Sequence, residues 1–349
     1  MGFDGPWFRL SRLTGAVREC VAGTESAPAF TLGTLPSIRL VLPATLALLM
    51  TLSACSPVAL LNATVPRSTF RETRGLAYGS GARRTLDVYV PANPPAHSTA
   101  PNGKGRPIVV FFYGGSWQNG NRGDYLFVGE ALASRGFVAV LPDYRTWPET
   151  AFPGFIEDAA AAVRWAHDHA GEFGGDPSRL FLMGHSAGAQ MVVLLATDGH
   201  YLSAQKLEKS DVRGVIGLAG PYDFLPLTDP TLEDIFPIQT RPASQPINFV
   251  HGDEPPMFLS AGTRDKIVDP GNTDRLAAKL KASGDAVEVK HYSGLSHATL
   301  VGAVGAPLRG IAPVLDDVAR FIESTDTDTG RADYRTHATG YVGAQSTSR

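Results

Sequence analysis

The chain has 349 residues, 43% hydrophobic and 19% charged, enough to bury a full core as one large domain with flanking segments. Its formal net charge of −3 lacks the basic excess that nucleic-acid partners select, so none is expected. Two cysteines, Cys20 and Cys55, exclude a disulfide framework and a cysteine-based zinc site.

Leu40 to Leu52 (LVLPATLALLMTL) is an apolar run of thirteen residues between Arg39 and Ser53-Ala54-Cys55. It reads as the h-region and cleavage site of a secretory signal and is short for a bilayer span. Leu52-Ser53-Ala54-Cys55 is similar to the lipobox of bacterial lipoproteins. That likeness implies that residues 1–55 are an N-terminal extension and signal, that Cys55 is acylated, and that the mature protein is held at the cell envelope by its lipid. A signal cleaved after Ala54 is the competing reading. A stretch without clear periodicity precedes the run, and a translation start near Leu32 or Leu35 would remove it.

Residues 56–73 are expected to form a tether. Arg74 to Tyr78 and the strictly alternating Thr85 to Val90 (TLDVYV) predict two antiparallel strands, followed by a polar Pro/Gly/Asn loop over 91–106. Continuous apolar runs at Pro107–Phe112, Phe137–Leu141 and 180–183 predict buried parallel strands, with helices over 124–135 and 154–173 between them. Further strands fall at 214–219, 257–261 and 286–291 and helices at 272–283 and 310–323. Helices alternating with apolar strands give an α/β fold, a doubly wound and mostly parallel sheet within a catalytic domain over 74–323. Residues 222–256 contain several prolines and no long period, the signature of a lid-like insertion, a pocket wall or a surface loop. The 324–349 tail, rich in Thr, Asp, Gly and Ser, is expected to be disordered.

GHSAG (184–188) stands between the 180–183 strand and a helical run from Ala187. That context suits a nucleophile elbow, in which a serine sits on a strained turn and flanking side chains would collide with strand or helix. A serine hydroxyl needs a base, and the base needs an orienting carboxylate. Asp265 lies just beyond the 257–261 strand and His297 just beyond the 286–291 strand, so Ser186, Asp265 and His297 are expected to meet at the carboxyl ends of the strands. Asp269 competes for the acid role and His291 for the base role. His185 is expected to pack or hydrogen-bond locally. The other histidines show no metal-ligand spacing, and no metal or cofactor is predicted. Gly114 and Gly115 end the 107–112 strand and leave N–H groups free; with the Ala187 amide they form a predicted oxyanion hole, each donor worth roughly 3 kcal/mol in the transition state.

On YGGSW (113–117), DYR (143–145), FGGDPSRLFLMGHSAGAQ (173–190), GTRDKIVD (262–269) and LSH (295–297), the chain resembles the α/β-hydrolase superfamily, in its branch with an HGG-x-W segment and a GxSAG elbow. The wording around the elbow is similar to prenylcysteine methylesterase-like and feruloyl-esterase-like proteins. The resemblance implies a serine carboxylic ester hydrolase acting on a small-molecule ester through an acyl-enzyme. Two alternatives remain: an arylformamidase-type amidase, and a non-catalytic hydrolase fold serving as a binding lipoprotein. Tyr113 stands where the family has histidine; a phenol also donates and accepts, so the hole is expected to survive. By the same resemblance Asp143 and Arg145 brace the loop, and Trp117 projects toward the acyl side of the site, where its bulk would favour small or medium, water-soluble esters.

Overall fold

The structure, a computed structural model, describes residues 57–92 and 105–327; Cys55 and the signal lie outside them. Eight strands form one sheet: β1 (Phe70–Ala77), β2 (Thr85–Pro91), β3 (Arg106–Phe112), β4 (Val138–Pro142), β5 (Gly175–His185), β6 (Val212–Leu218), β7 (Met257–Gly262) and β8 (Val287–Tyr292). Their spatial order is β1-β2-β4-β3-β5-β6-β7-β8. β1 and β2 pair antiparallel and β2 meets β4 antiparallel, while every pairing from β4 through β8 is parallel. The polarity of these strands therefore brings the residues after β3, β5, β6, β7 and β8 to one end.

The central strands carry no polar alternation because both of their faces are covered. Ile108, Val109, Val110 and Phe111 of β3 and Leu180, Phe181, Leu182 and Met183 of β5 are all fully buried, as expected for parallel strands under helices. β2 keeps its alternation in sequence, yet Leu86, Asp87, Val88 and Tyr89 are all buried. Asp87 is accommodated by the Gly75 amide and the Arg122 guanidinium, at 2.9 and 2.8 Å.

Two expected boundaries change. The tether expected over 56–73 is structured from Pro57 on, since α1 (Pro57–Ala63) forms there and β1 begins at Phe70. The Asn62 side chain fastens α1 by donating to the Gly123 and Asp124 carbonyls (3.0 and 3.1 Å) and accepting from the Phe127 amide at 3.1 Å. At the other end the last helix runs Val314–Thr327, past the expected start of the disordered tail. Its apolar stripe, including Val318, Phe321 and Ile322, is buried, and an Arg179–Asp326 ion pair holds its final turn. Residues 328–349 lie outside the described part.

Residues 222–256 fold into short pieces, a helix at Pro230–Ile235 and single turns at Arg241–Ser244 and Pro246–Phe249. No long apolar helical face forms, because prolines open these pieces. Three buried amides fasten the segment: Gln190 Nε2 donates to the Ser244 carbonyl at 2.8 Å, Gln245 Oε1 accepts from Phe224 N at 2.8 Å, and Asn272 Oδ1 accepts from Tyr222 N and Asp223 N at 3.0 and 2.8 Å. Backbone polar groups that leave water here are thereby satisfied. Of the alternatives its composition leaves open, lid, pocket wall or surface loop, the segment has the form of a fastened wall.

Candidate active site

β5 ends at His185 and the following helix spans Ala187–Thr197. Ser186 between them has φ 57° and ψ −123°, a conformation that L-residues adopt only when their surroundings impose it. Gly184 and Gly188 make the turn possible. A Cβ on Gly188 would lie 2.0 Å from the Phe112 carbonyl oxygen, and one on Gly184 would lie 2.3 Å from the Gly188 carbonyl carbon. Ser186 N donates to the Leu218 carbonyl at 2.9 Å, tying the elbow to the end of β6. Ala187 opens the helix, so its amide has no partner one turn back and adds to the positive helix end beside the serine.

Other strained positions gather at the same end. Ser116 and Trp117 beyond β3 and Ala219 beyond β6 also have positive φ, at 53°, 58° and 52°. Gly115, with φ 137°, folds so tightly that a Cβ would meet the Asn119 carbonyl oxygen at 2.1 Å. A Cβ on Gly114 would come within 2.8 Å of Ser186 Cβ. Of the two predicted oxyanion glycines, Gly114 thus lies directly against the predicted nucleophile.

Asp265 and His297 are brought together: His297 Nδ1 lies 2.8 Å from Asp265 Oδ2. The other carboxylate oxygen accepts from the Ile267 and Val268 amides at 2.9 and 3.0 Å. Burial pushes the Asp265 carboxyl up, but the His297 hydrogen bond and charge and the two amides outweigh it and hold its pKa below the ordinary value. An ionised Asp265 favours the tautomer of His297 with its proton on Nδ1, leaving Nε2 as the basic nitrogen. His297 opens a helix at His297–Gly302, positioned by a capping box in which Ser296 N donates to Thr299 Oγ1 at 2.8 Å and Ser296 Oγ accepts from Thr299 N.

The competitors lie elsewhere. The Asp269 side chain is 68% exposed and meets Arg275 and the Gly271 amide, and His291 pairs with Asp274 at 2.8 Å on the surface.

Tyr113 takes the place of histidine with both of its hydrogen-bonding capacities in use. Its hydroxyl donates to Asp143 Oδ1 at 2.9 Å and accepts from Arg83 Nη2 at 3.0 Å. Burial, and then the Tyr144 and Asp143 charges, raise its pKa far above the ordinary phenol value, so it stays protonated. Arg122 completes the brace through its amide, 2.7 Å from Asp143 Oδ1, and its guanidinium. Arg145 differs from expectation, since its guanidinium goes to the buried Asp158, shared with Arg84. Arg83 has no sequence motif to betray it.

Trp117 is a correction. The side chain is held edge-on to Phe236 at 4.7 Å and stacked on Phe224 at 5.7 Å, with its N–H donated to Gln190 Oε1 at 3.2 Å. Only 4% of the residue is exposed, which leaves almost no surface for an acyl chain. Aromatic packing consumes a ring whose neighbours come from distant segments.

His185 does more than pack. Its Nε2 donates to the His297 carbonyl at 3.1 Å and its ring lies 4.6 Å from the His297 ring. Burial, then the His297 charge, lowers its pKa to about 3, so it is a neutral brace. Because the folded value lies below the unfolded one, its contribution to stability is full above the unfolded pKa and is lost as pH falls toward about 3. His185→Gln, which keeps a donor, is expected to retain turnover within about threefold and to remove part of this acid sensitivity; His185→Phe is expected to lower kcat about tenfold or more with little change in KM. Equal kcat in wild type and His185→Phe would remove the brace.

Fold and site together define a hydrolase-type α/β protein with a serine elbow, a histidine–aspartate pair and a glycine loop at one sheet end. The BD-FAE family model matches residues 86–280, and the chain belongs to that family. It is 28% identical over 279 residues to an isoprenylcysteine alpha-carbonyl methylesterase of Arabidopsis thaliana, covering 73% of this chain and 63% of the relative. With esterase LipC of Mycobacterium tuberculosis it shares 30% identity over 272 residues, 71% of this chain and 65% of that one. The chain thus spans a little under two thirds of the length of these relatives. Among solved structures, a tributyrin-phosphonate-inhibited esterase B from Lactobacillus rhamnosis superposes with TM-score 0.67 at 20% identity, covering 86% of this chain and 99% of that chain. A Pyrobaculum calidifontis esterase gives TM-score 0.63 at 21% identity, with coverage of 83% and 98%. These structures share the α/β-hydrolase fold.

Proposed function

We propose that the chain is a serine carboxylic ester hydrolase. The observation that carries this reading is the Asp265–His297 pair at the sheet end where Ser186 is held in a strained elbow against the Gly114 loop. Ser186 Oγ attacks the ester carbonyl carbon while His297 Nε2 takes its proton, and Asp265 stabilises the imidazolium. The amides of Gly114, Gly115 and Ala187 receive the oxyanion. His297 then protonates the departing alcohol, and water, deprotonated by the same nitrogen, releases the acid from the acyl-enzyme. Esterase relatives and inhibited esterase neighbours support the same chemistry.

The fastened 222–256 wall favours small or medium, water-soluble esters. Aryl acetates and butyrates are expected to be turned over faster than esters of C12 or longer, with no rate jump at the substrate's solubility limit. A panel of such esters with Ser186→Ala as control, and N-formyl-kynurenine as the amide arm, tests this. Faster cleavage of the formamide would replace the ester reading by the amidase one.

The lipobox-like LSAC at 52–55 supports export to the cell envelope and acylation of Cys55. Wild type is then expected in the membrane fraction and Cys55→Ser largely outside it, since stable anchoring takes more than one acyl chain. A free thiol at Cys55 in the mature protein would refute the anchor.

A further inference from the structure

One guanidinium outside the triad grips the oxyanion loop at both of its ends. Arg83 lies in the turn between β1 and β2, which is closed by Tyr78 N donating to the Arg84 carbonyl at 3.0 Å and Arg84 N to the Gly81 carbonyl at 3.1 Å. From there Arg83 Nη2 donates to Tyr113 Oη at 3.0 Å and to the Gly120 carbonyl at 2.8 Å, while its Nε donates to the Tyr144 carbonyl at 2.8 Å. Tyr113 leads into the loop and Gly120 ends it. The two ends also touch each other, since a Cβ on Gly120 would lie 2.9 Å from the Gly114 carbonyl oxygen and 2.9 Å from the Tyr113 ring.

The loop needs an outside hold. Gly115, Ser116, Trp117 and Gly120 all have positive φ, at 137°, 53°, 58° and 101°, and residues other than glycine take such values only where their surroundings impose them. Within the loop, Gln118 N and Asn119 N both donate to the Gly115 carbonyl at 3.0 Å, which curls the chain without fixing where it stands relative to Ser186. Its middle is held at Trp117, whose carbonyl accepts from Trp147 N at 2.8 Å and whose N–H goes to Gln190. Its ends are held by Arg83. Arg122 acts at one remove, through Asp143. The Tyr144 hydroxyl donates in turn to the Tyr113 carbonyl at 2.8 Å, so Arg83, Tyr144 and Tyr113 close a circuit of hydrogen bonds. Arg83 donating to the phenol oxygen also strengthens the bond that the phenol proton makes to Asp143.

Building on the ester-hydrolase reading, we propose that Arg83 is a positioning residue for the reaction: it pins both ends of the oxyanion loop and so keeps the Gly114 and Gly115 amides aimed at the developing oxyanion. A guanidinium suits the task because its planar fork serves three acceptors at once, whereas a lysine brings all its donors to a single nitrogen. Lost aim weakens the transition state more than the bound ester, so the effect falls on kcat and little on KM.

The test compares Arg83→Met, Arg83→Lys and Arg84→Met in the full chain. Arg84 is the neighbouring arginine of the same turn and bonds Asp158 at 2.8 Å, away from the loop, so its loss reports what a purely structural arginine does. With an aryl acetate, Arg83→Met is expected to lower kcat about tenfold or more with KM within about twofold, and Arg83→Lys to recover to within about threefold of wild type. Arg84→Met is expected to keep kcat within about twofold even where its Tm falls. Amide hydrogen exchange, followed by mass spectrometry on the peptide covering 113–120, is a second readout that needs no substrate. Exchange there is expected to quicken about tenfold in Arg83→Met and to stay at the wild-type rate in Arg84→Met. Equal kcat in wild type and Arg83→Met, a change in KM in place of kcat, or a matching loss of kcat in Arg84→Met would overturn the proposal. So would unchanged exchange of 113–120 in Arg83→Met. If wild type cleaves no ester, or Ser186→Ala cleaves it as fast, the ester reading fails by itself, and the exchange rates still decide whether Arg83 pins the loop.

Discussion

Ser186→Ala and His297→Ala are each expected to lower ester kcat by roughly 10⁴-fold or more, because nucleophile and base act as one unit and neither works without the other. Asp265→Asn is expected to cost about as much. Its Oδ2 receives the His297 Nδ1 proton at 2.8 Å, and an amide there would present its NH₂ or lose the charge that stabilises the imidazolium. Asp269→Asn is the contrast. Its carboxylate is mostly exposed and serves Arg275 and the start of the helix Gly271–Ser283, so kcat is expected to stay within about twofold. Steady-state kinetics on an aryl acetate for the four variants decide the assignment; full activity in Asp265→Asn with loss in Asp269→Asn would reverse it. The pH dependence has a definite sign. The stability contributed by Asp265, whose folded pKa is depressed, is present above the ordinary carboxylate range and disappears as pH falls through the lowered value. Asp265→Asn is expected to flatten that acid limb of the stability curve.

Gly188→Ala is expected to be the most damaging small substitution in the core of the site. The added Cβ would lie 2.0 Å from the Phe112 carbonyl oxygen and 2.6 Å from that of Tyr113. Those atoms belong to backbone, so no rotamer change relieves the clash, and β3 must separate from the helix Ala187–Thr197. Overpacking of this kind costs about 3 kcal/mol or more, which for a domain of this size lowers Tm by roughly 6–12 °C. Activity falls with it, since moving β3 carries Gly114 and Gly115 away from Ser186. Gly171→Ala is the control, with nothing within 4 Å of the added carbon, and its Tm is expected to change by no more than about 2 °C. Unchanged Tm and kcat in Gly188→Ala would show that the elbow tolerates a side chain there.

The elements of chemistry that could be read from the sequence alone are those whose geometry is local. GHSAG between an apolar strand and a helix defines a strained turn within five residues, since the collision that demands Gly184 and Gly188 arises between immediate neighbours in the chain. Continuous apolar runs likewise betray parallel strands covered on both faces. Asp265 and His297 were legible at one remove, because parallel polarity alone carries the ends of successive strands to one side. Nearness to the strand end points to Asp265 over Asp269, and the course of the turn that two amides set around Oδ1 is what brings its carboxylate to His297. Tertiary structure alone decided the remaining partners. Arg83 reaches Tyr113 across 30 positions, and His185 reaches the His297 carbonyl across 112. Trp117 turned from presumed substrate wall into core because Phe224 and Phe236, more than a hundred positions away, close over it. Likewise residues 57–69 dock where composition suggested a tether, since the three hydrogen bonds of Asn62 exist only once the turn at Gly123 and Asp124 is in place. Local patterns record steric demands between neighbours along the chain. Buried polar pairs and aromatic clusters depend on which strands lie side by side, and that order is settled only when the whole sheet assembles.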